Sequence, residues 1–76
     1  MRRYFFDIVG LGRVIYDFHG RLFSNPIDAQ QVAQLLALNA EVEGDEEVAG
    51  GRIEVRDANG GSFFSVVIRA AEYAVA

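Results

Sequence analysis

The opening residues of the chain alternate between two faces, as a β-strand requires. In Arg2–Val9, apolar side chains occur on both faces: Tyr4, Phe6 and Ile8 on one, Phe5 and Val9 on the other. Aromatic and β-branched residues, which strands favour, are enriched here. Because both faces are largely apolar, we expect this strand to lie in the middle of a sheet, with a helix over one face.

A second strand follows after a short reversal. Gly10-Leu11-Gly12 supplies the backbone freedom of a tight turn, and alternation resumes over residues 13–18, so the two segments predict a hairpin. Residues 17–20 have the pattern of a turn, with a short polar acceptor first and a glycine last. Residues 21–23 then form a short extended piece, which is a third strand if it pairs.

The start of a helix is the clearest local signal. Asn25 is a suitable N-cap, Pro26 occupies the first helical position, and Asp28 lies near the positive end of the helix dipole. The composition predicts a helix from Pro26 to about Val42, with Gly44 as its C-terminal stop.

This helix has an apolar stripe suited to packing on a sheet. Its members are Ala29, Val32, Ala33, Leu36 and Ala40, with Leu35 at the border. Ile27 and Leu38 lie on the other side. They either stay partly exposed or meet another subunit.

The last third of the chain predicts a second hairpin. Residues 45–51 have the composition of a mobile loop, and residues 52–57 alternate as a strand with one buried face. Residues 58–61 contain Asn-Gly, a strong hairpin-turn signal. Residues 62–71 form a strand with apolar residues on both faces, so we expect it to be central, next to the first. Residues 72–76 extend that strand or dock on a neighbouring molecule.

These elements predict one α+β domain over residues 1–76. Its antiparallel sheet has four strands, or five if residues 21–23 pair, and two hairpins flank one helix packed on one face, in the order ββαββ. The strands offer more apolar surface than a single helix covers, so we expect a homodimer formed through sheet surface or edge strands. The candidate interaction surface comprises Tyr4, Phe5, Ile27, Leu38, Phe63, Phe64 and Tyr73.

Composition limits the chemistry. The 76 residues include no Cys and one His, so neither a thiolate nor a His-based metal site is expected, and the net charge of −4 argues against nucleic acid as a partner. No apolar run is long enough for a membrane span, and Asp7 interrupts any secretory h-region, so we expect a cytoplasmic protein. An acidic run is either a solvated helix end or a docking patch: Glu41, Glu43, Asp45, Glu46 and Glu47.

No group of residues predicts catalysis, and no cofactor is expected. His19 beside Asp17 could be an acid and base pair, but turn formation explains both better. Asp7 lies in an apolar strand and needs a partner, for which Arg13 across the first hairpin is the candidate. The cations and aromatics of residues 2–5 could form a platform for single-stranded nucleic acid, although a core strand with solvated arginines is the simpler interpretation.

Several segments together resemble a family of small bacterial proteins known only as a domain of unknown function. They are Arg3-Tyr4-Phe5-Phe6-Asp7, Asp17-Phe18-His19-Gly20, Phe23 before the helix cap, the Ala-rich helix, and Val55-Arg56-Asp57-Ala58-Asn59-Gly60. The resemblance covers nearly the whole chain. The sequence departs from the family pattern at Arg2, at the Gly10-Leu11-Gly12 turn, and at the glutamines of the helix.

A second, architectural resemblance is to the N-terminal half of HicB-like antitoxins, in which a strand hairpin, Asp-x-x-Gly and an amphipathic helix follow in this order. It implies an alternative to self-association, namely a regulatory subunit that binds a partner protein. The basic DNA-binding segment appended to many such antitoxins is missing from this sequence. The sequence therefore predicts a non-catalytic protein-interaction module.

Overall fold

The computed structural model describes residues 1–70 and has the α+β architecture that the alternation predicts. Its elements in chain order are β1 (Arg2–Val9), β2 (Val14–Ile15), β3 (Arg21–Phe23), α1 (Pro26–Glu43), β4 (Arg52–Asp57) and β5 (Ser62–Val67). All strand pairs are antiparallel. The short third strand does pair, so the sheet has five strands with one helix packed on it.

The strand order is β2-β1-β4-β5, and β3 also pairs with β1. The central position of β1 is confirmed. The prediction that the last strand is central and adjacent to β1 was wrong, because β4 lies between them and β5 is the outer strand. It is also shorter than expected, and Val67 at its end is 65% exposed. An apolar composition on both faces therefore did not mark a central strand here.

The helix begins and ends where its capping residues predict. The Asn25 side-chain oxygen accepts the Ile27 N–H at 2.8 Å, which satisfies one of the free donors of the first turn. Pro26 follows at the first helical position. Gly44 adopts the left-handed conformation (φ 66°) and its N–H donates to the carbonyls of Ala40 and Glu41, which ends the helix.

Three alanines bring the helix close to the sheet. Ala29, Ala33 and Ala37 are buried against a core of strand residues. The strand and loop residues of this core are Tyr4, Phe6, Val48, Ile53, Val55 and Ile68. The predicted stripe was wrong in two details: Ala37 belongs to it, and Leu35 is exposed.

The sheet face that the helix leaves uncovered carries several charged residues. The cross-strand pairs Asp7↔Glu54, Phe5↔Arg56 and Val9↔Arg52 place charged residues of β4 in its centre. An irregularity in the β4–β5 register also turns Phe63 toward the helix side, where its ring lies 5.2 Å from that of Tyr4. The uncovered face therefore combines charged residues of β4 with apolar residues of β1 such as Phe5 and Val9.

The segment between α1 and β4, predicted to be a mobile loop, is a hydrogen-bonded turn. The Asp45 carbonyl accepts the N–H groups of Val48 and Ala49, and the Val48 side chain is buried in the core. Gly50 and Gly51 then pair with Ile68, with N···O distances of 2.9 Å in both bonds. The buried Val48 side chain and the hydrogen bonds to Ile68 hold this segment in place.

Candidate functional site

The most unusual polar group of the described chain is Asp7, a carboxylate 4% exposed in the central strand. Arg56 reaches it from β4, with Nε 2.5 Å from Oδ2 and Nη2 3.3 Å from Oδ1. The guanidinium carbon also lies 4.8 Å from the centre of the Phe5 ring, so Arg56 covers an apolar side chain while it neutralises the carboxylate. The predicted partner Arg13 was wrong: it pairs with Glu47.

The segment between β2 and β3 is attached to the same cluster. The Asp17 N–H donates to Asp7 Oδ1 at 2.9 Å, and the Asp17 carbonyl accepts from Arg56 Nη2 at 3.2 Å. The Asp17 carboxylate accepts from the N–H groups of His19 and Gly20 at 3.0 Å, as the turn pattern predicts. Its other oxygen accepts the Phe6 N–H at 3.1 Å, which fills the gap that β2 and β3 leave along β1.

These hydrogen bonds shift the pKa values of Asp17 and Arg56. Burial acts to raise the pKa of Asp17, but the three N–H donors of Gly20, Phe6 and His19 outweigh it, so the pKa lies below its usual value. The hydrogen bond to Asp7 raises the pKa of Arg56 above its usual value. Asp17 and Arg56 are therefore both charged at neutral pH, and each is held by hydrogen bonds within the cluster.

We expect Asp17→Asn to lower the free energy of unfolding by about 1 to 2 kcal/mol at neutral pH, because an amide accepts fewer of these bonds and accepts them more weakly. A group whose pKa is depressed by folding stabilises the fold above its unfolded-state pKa, and this contribution is lost as pH falls through the folded-state pKa. The wild-type protein should thus lose part of its stability in acid, and the difference from the variant should shrink there. Urea unfolding at a series of pH values measures the stability of the wild-type protein and of the variant. A stability difference that does not change with pH would contradict the role assigned to the Asp17 carboxylate.

The hydrogen bonds of the cluster hold distant chain segments together. Asp7 is committed to Arg56 and to the Asp17 N–H, and the backbone of His19 is committed to Asp17 and Arg3. Within residues 1–70, no group of three or more His, Asp or Glu side chains is arranged to hold a metal ion. Turn formation thus accounts for Asp17 and Gly20, as the sequence indicates.

The predicted interaction residues do not form one surface. Tyr4 is buried, which excludes it from an exposed surface, and its ring packs on Phe23 and Phe63. Phe5 and Phe64 are half-buried. Phe63 is exposed at the outer strand, whereas Ile27 and Leu38 are exposed on the helix, so the two groups lie on different elements. Tyr73 lies outside the described residues.

Tyr4 is buried and Phe5 is half-buried, so residues 2–5 do not present a row of exposed aromatic rings. A nucleic-acid platform stacks bases on exposed aromatic rings, and here only Arg2 and Arg3 are exposed. The simpler interpretation, a core strand with solvated arginines, is the one that the geometry supports.

Sequence reasoning missed exposed apolar residues outside the strands. Tyr16 and Phe18 flank Asp17 and are 58% and 83% exposed, with ring centres 6.3 Å apart. Alternation assigned them to a strand, although β2 ends at Ile15. On the helix, Leu35 and Val42 are exposed together with Ile27 and Leu38. Helical spacing could have identified this second stripe, since all four fall on one side of a helical wheel.

Comparisons with known proteins add one assignment. Searches of curated proteins and of solved structures gave no match, so the resemblance to HicB-like antitoxins stays a prediction. Among residues 1–70, no helix has the length and apolar character needed to cross a bilayer. One family model matches residues 3–69, which is most of the chain, and the match agrees with the resemblance noted in the sequence. The chain belongs to the family described as a domain of unknown function (DUF6894).

Proposed function

We propose that this protein is a non-catalytic interaction module that self-associates, with the β5 strand of one copy pairing antiparallel with the β5 strand of a second copy. The observation that supports this proposal is the character of β5. Ser62–Val67 is an outer strand that contains neither a charged residue nor a proline. Natural proteins usually protect such edges, because unpaired N–H and C=O groups are templates for pairing with another chain.

The opposite side of the sheet does not offer a comparable edge. Along β1, the outer hydrogen-bonding groups are occupied by β2, β3 and the Asp17 carboxylate. The outer edges of β2 and β3 are two and three residues long. Among residues 1–70, β5 therefore has the longest strand edge without a partner, and a twofold axis beside it would join two sheets into one.

The backbone of β5 is oriented for this pairing. Ile68 directs both its N–H and its carbonyl toward Gly50 and Gly51, on the β4 side. Antiparallel strands alternate the direction of these groups, so Ser65 and Val67 direct theirs outward. Pairing through them would also cover apolar surface, since Phe63 and Val67 are exposed. The module would thus gain main-chain hydrogen bonds and apolar burial together.

Ser65→Pro tests the proposal. Proline removes the outward N–H of residue 65 without removing a β4–β5 hydrogen bond, and edge strands tolerate it. We expect the wild-type protein to be a dimer at micromolar concentration and Ser65→Pro to be a monomer with unchanged far-UV circular dichroism. Light scattering coupled to size exclusion and sedimentation equilibrium measure the mass.

Ser65→Ala is the matched control, because it keeps the N–H and should remain a dimer. Val67→Lys is a second disrupting variant, since a lysine on the edge opposes pairing without the backbone restriction of proline. A wild-type monomer would overturn the proposal. So would a dimer that persists in both Ser65→Pro and Val67→Lys.

A further inference from the structure

The outer face of α1 carries an apolar stripe that the fold does not cover. Ile27, Leu35, Leu38 and Val42 are each more than half exposed. They recur at helical spacing within an 80° sector, opposite the buried alanines. Gln31 lies within this sector, between Ile27 and Leu35, and Gln34 lies at its border; no charged residue falls within the sector. The stripe extends over about four turns, or about 22 Å at the rise of an α-helix.

We propose that this stripe is the docking site for an amphipathic helix of a different protein, with apolar residues on one side flanked by lysine or arginine. The length of the stripe fits a helix laid along it, since an apolar helix face is recognised by residues at helical spacing. The partner's charge follows from the residues around the stripe. This proposal does not depend on pairing through β5, because the stripe lies on α1.

The charges on α1 disfavour a second copy as the occupant. The helix carries three acids, Asp28, Glu41 and Glu43, and no basic residue. In an antiparallel pair of such helices, the acid at the beginning of one would face the two at the end of the other, and a parallel pair would align identical acids. Either arrangement accumulates repulsion along its flanks, and α1 itself supplies no compensating cation.

The same charges favour a basic partner. Glu41 and Glu43 lie at the negative end of the helix dipole, where acids are unfavourable and cations are favoured, and no basic residue occupies the last turn. Asp45 and Glu46 follow and are exposed. Arg69 lines a depression with Glu41 and Glu46 and compensates part of this charge. Lysines of a docked helix would supply the cations that this end of α1 lacks.

The test uses two synthetic peptides, an amphipathic helix with leucines at helical spacing flanked by lysines, and the same peptide with glutamates in place of the lysines. We expect the lysine peptide to bind at least about tenfold more tightly by fluorescence anisotropy, a difference of about 1.4 kcal/mol. Amide chemical shifts should change along α1. Leu38→Ser should weaken binding about tenfold, and the double variant Glu41→Gln/Glu43→Gln should weaken it and reduce its dependence on salt.

Leu22→Ser is the matched control, because Leu22 is 49% exposed and Leu38 is 54% exposed, but Leu22 lies on β3. It should leave the affinity of the lysine peptide unchanged. Equal binding of both peptides, chemical shift changes away from α1, or an equal loss from Leu22→Ser would overturn the proposal. A wild-type dimer that becomes a monomer on Leu38→Ser would overturn it too, by showing that a second copy covers the stripe. Repeating the binding on Ser65→Pro separates this result from self-association.

Discussion

Replacing Arg56 by methionine is expected to lower the free energy of unfolding by about 3 kcal/mol, because it leaves the buried Asp7 carboxylate without its cation. This is the lower end of the range for buried ion pairs, since the Arg56 side chain itself is 29% exposed. The whole fold of a chain this size is stable by about 4 to 11 kcal/mol, so the loss is a large fraction. Urea unfolding followed by circular dichroism measures it.

Arg52→Met is the matched control for this substitution. Arg52 lies on the same strand and the same face, but its contact with Glu54 at 3.3 Å joins two partly exposed side chains. The expected loss is at most about 0.5 kcal/mol. The double variant Asp7→Leu/Arg56→Met should recover part of the loss, because no charge is then left buried. Equal losses in the two arginine variants would contradict the assigned role of Asp7.

The second large effect is expected from Gly51→Ala, which should destabilise the protein by about 3 kcal/mol. A methyl group at this position would collide with the Val9 carbonyl oxygen and would lie 2.7 Å from the Gly10 Cα. Both neighbours are backbone atoms of the central strand and its turn, so neither can rotate away. The strands β1 and β4 would have to separate at this end, and the pairing of Gly51 with Ile68 would be disturbed as well.

Gly12→Ala is the control, because nothing lies within 4 Å of a methyl group at that position and its φ is not positive. It should change stability by less than about 1 kcal/mol, and the change should be stabilising, since alanine restricts the unfolded chain. Thermal and urea unfolding of the two variants provide the comparison. A similar loss in both would show that chain flexibility, and not the close approach at Gly51, determines the effect.

Local signals in the sequence predicted the local structure well. The caps at Asn25 and Gly44, the turn at Asp17 and the turn containing Asn59 and Gly60 depend on short-range geometry, and all are present. The order of the strands in the sheet was harder to predict from the sequence. Apolar residues on both faces of β5 indicated a central strand, but the register irregularity turns Phe63 toward the helix side and Val67 remains exposed.

The candidate site depends on contacts between distant segments, which alternation cannot identify. The sequence indicated that Asp7 needs a partner, and Arg13 was the nearest cation across the first hairpin. Arg56 meets Asp7 only because β4 pairs directly with β1, whereas Arg13 lies in the turn beside Glu47. The role of Gly51 was missed for the same reason, since its close approach to Val9 depends on that pairing.

The position of β1 has a consequence for the order of events during synthesis. Among the strands of this sheet β1 is made first, yet its main partner β4 follows only after β2, β3 and α1. Until then, Phe6 and Ile8 have no sheet partner on that side, and closing the long intervening loop must precede the stabilising contacts. The nascent chain should therefore expose the apolar, unpaired β1 strand until β4 has been translated. Chaperone binding should matter most during this interval.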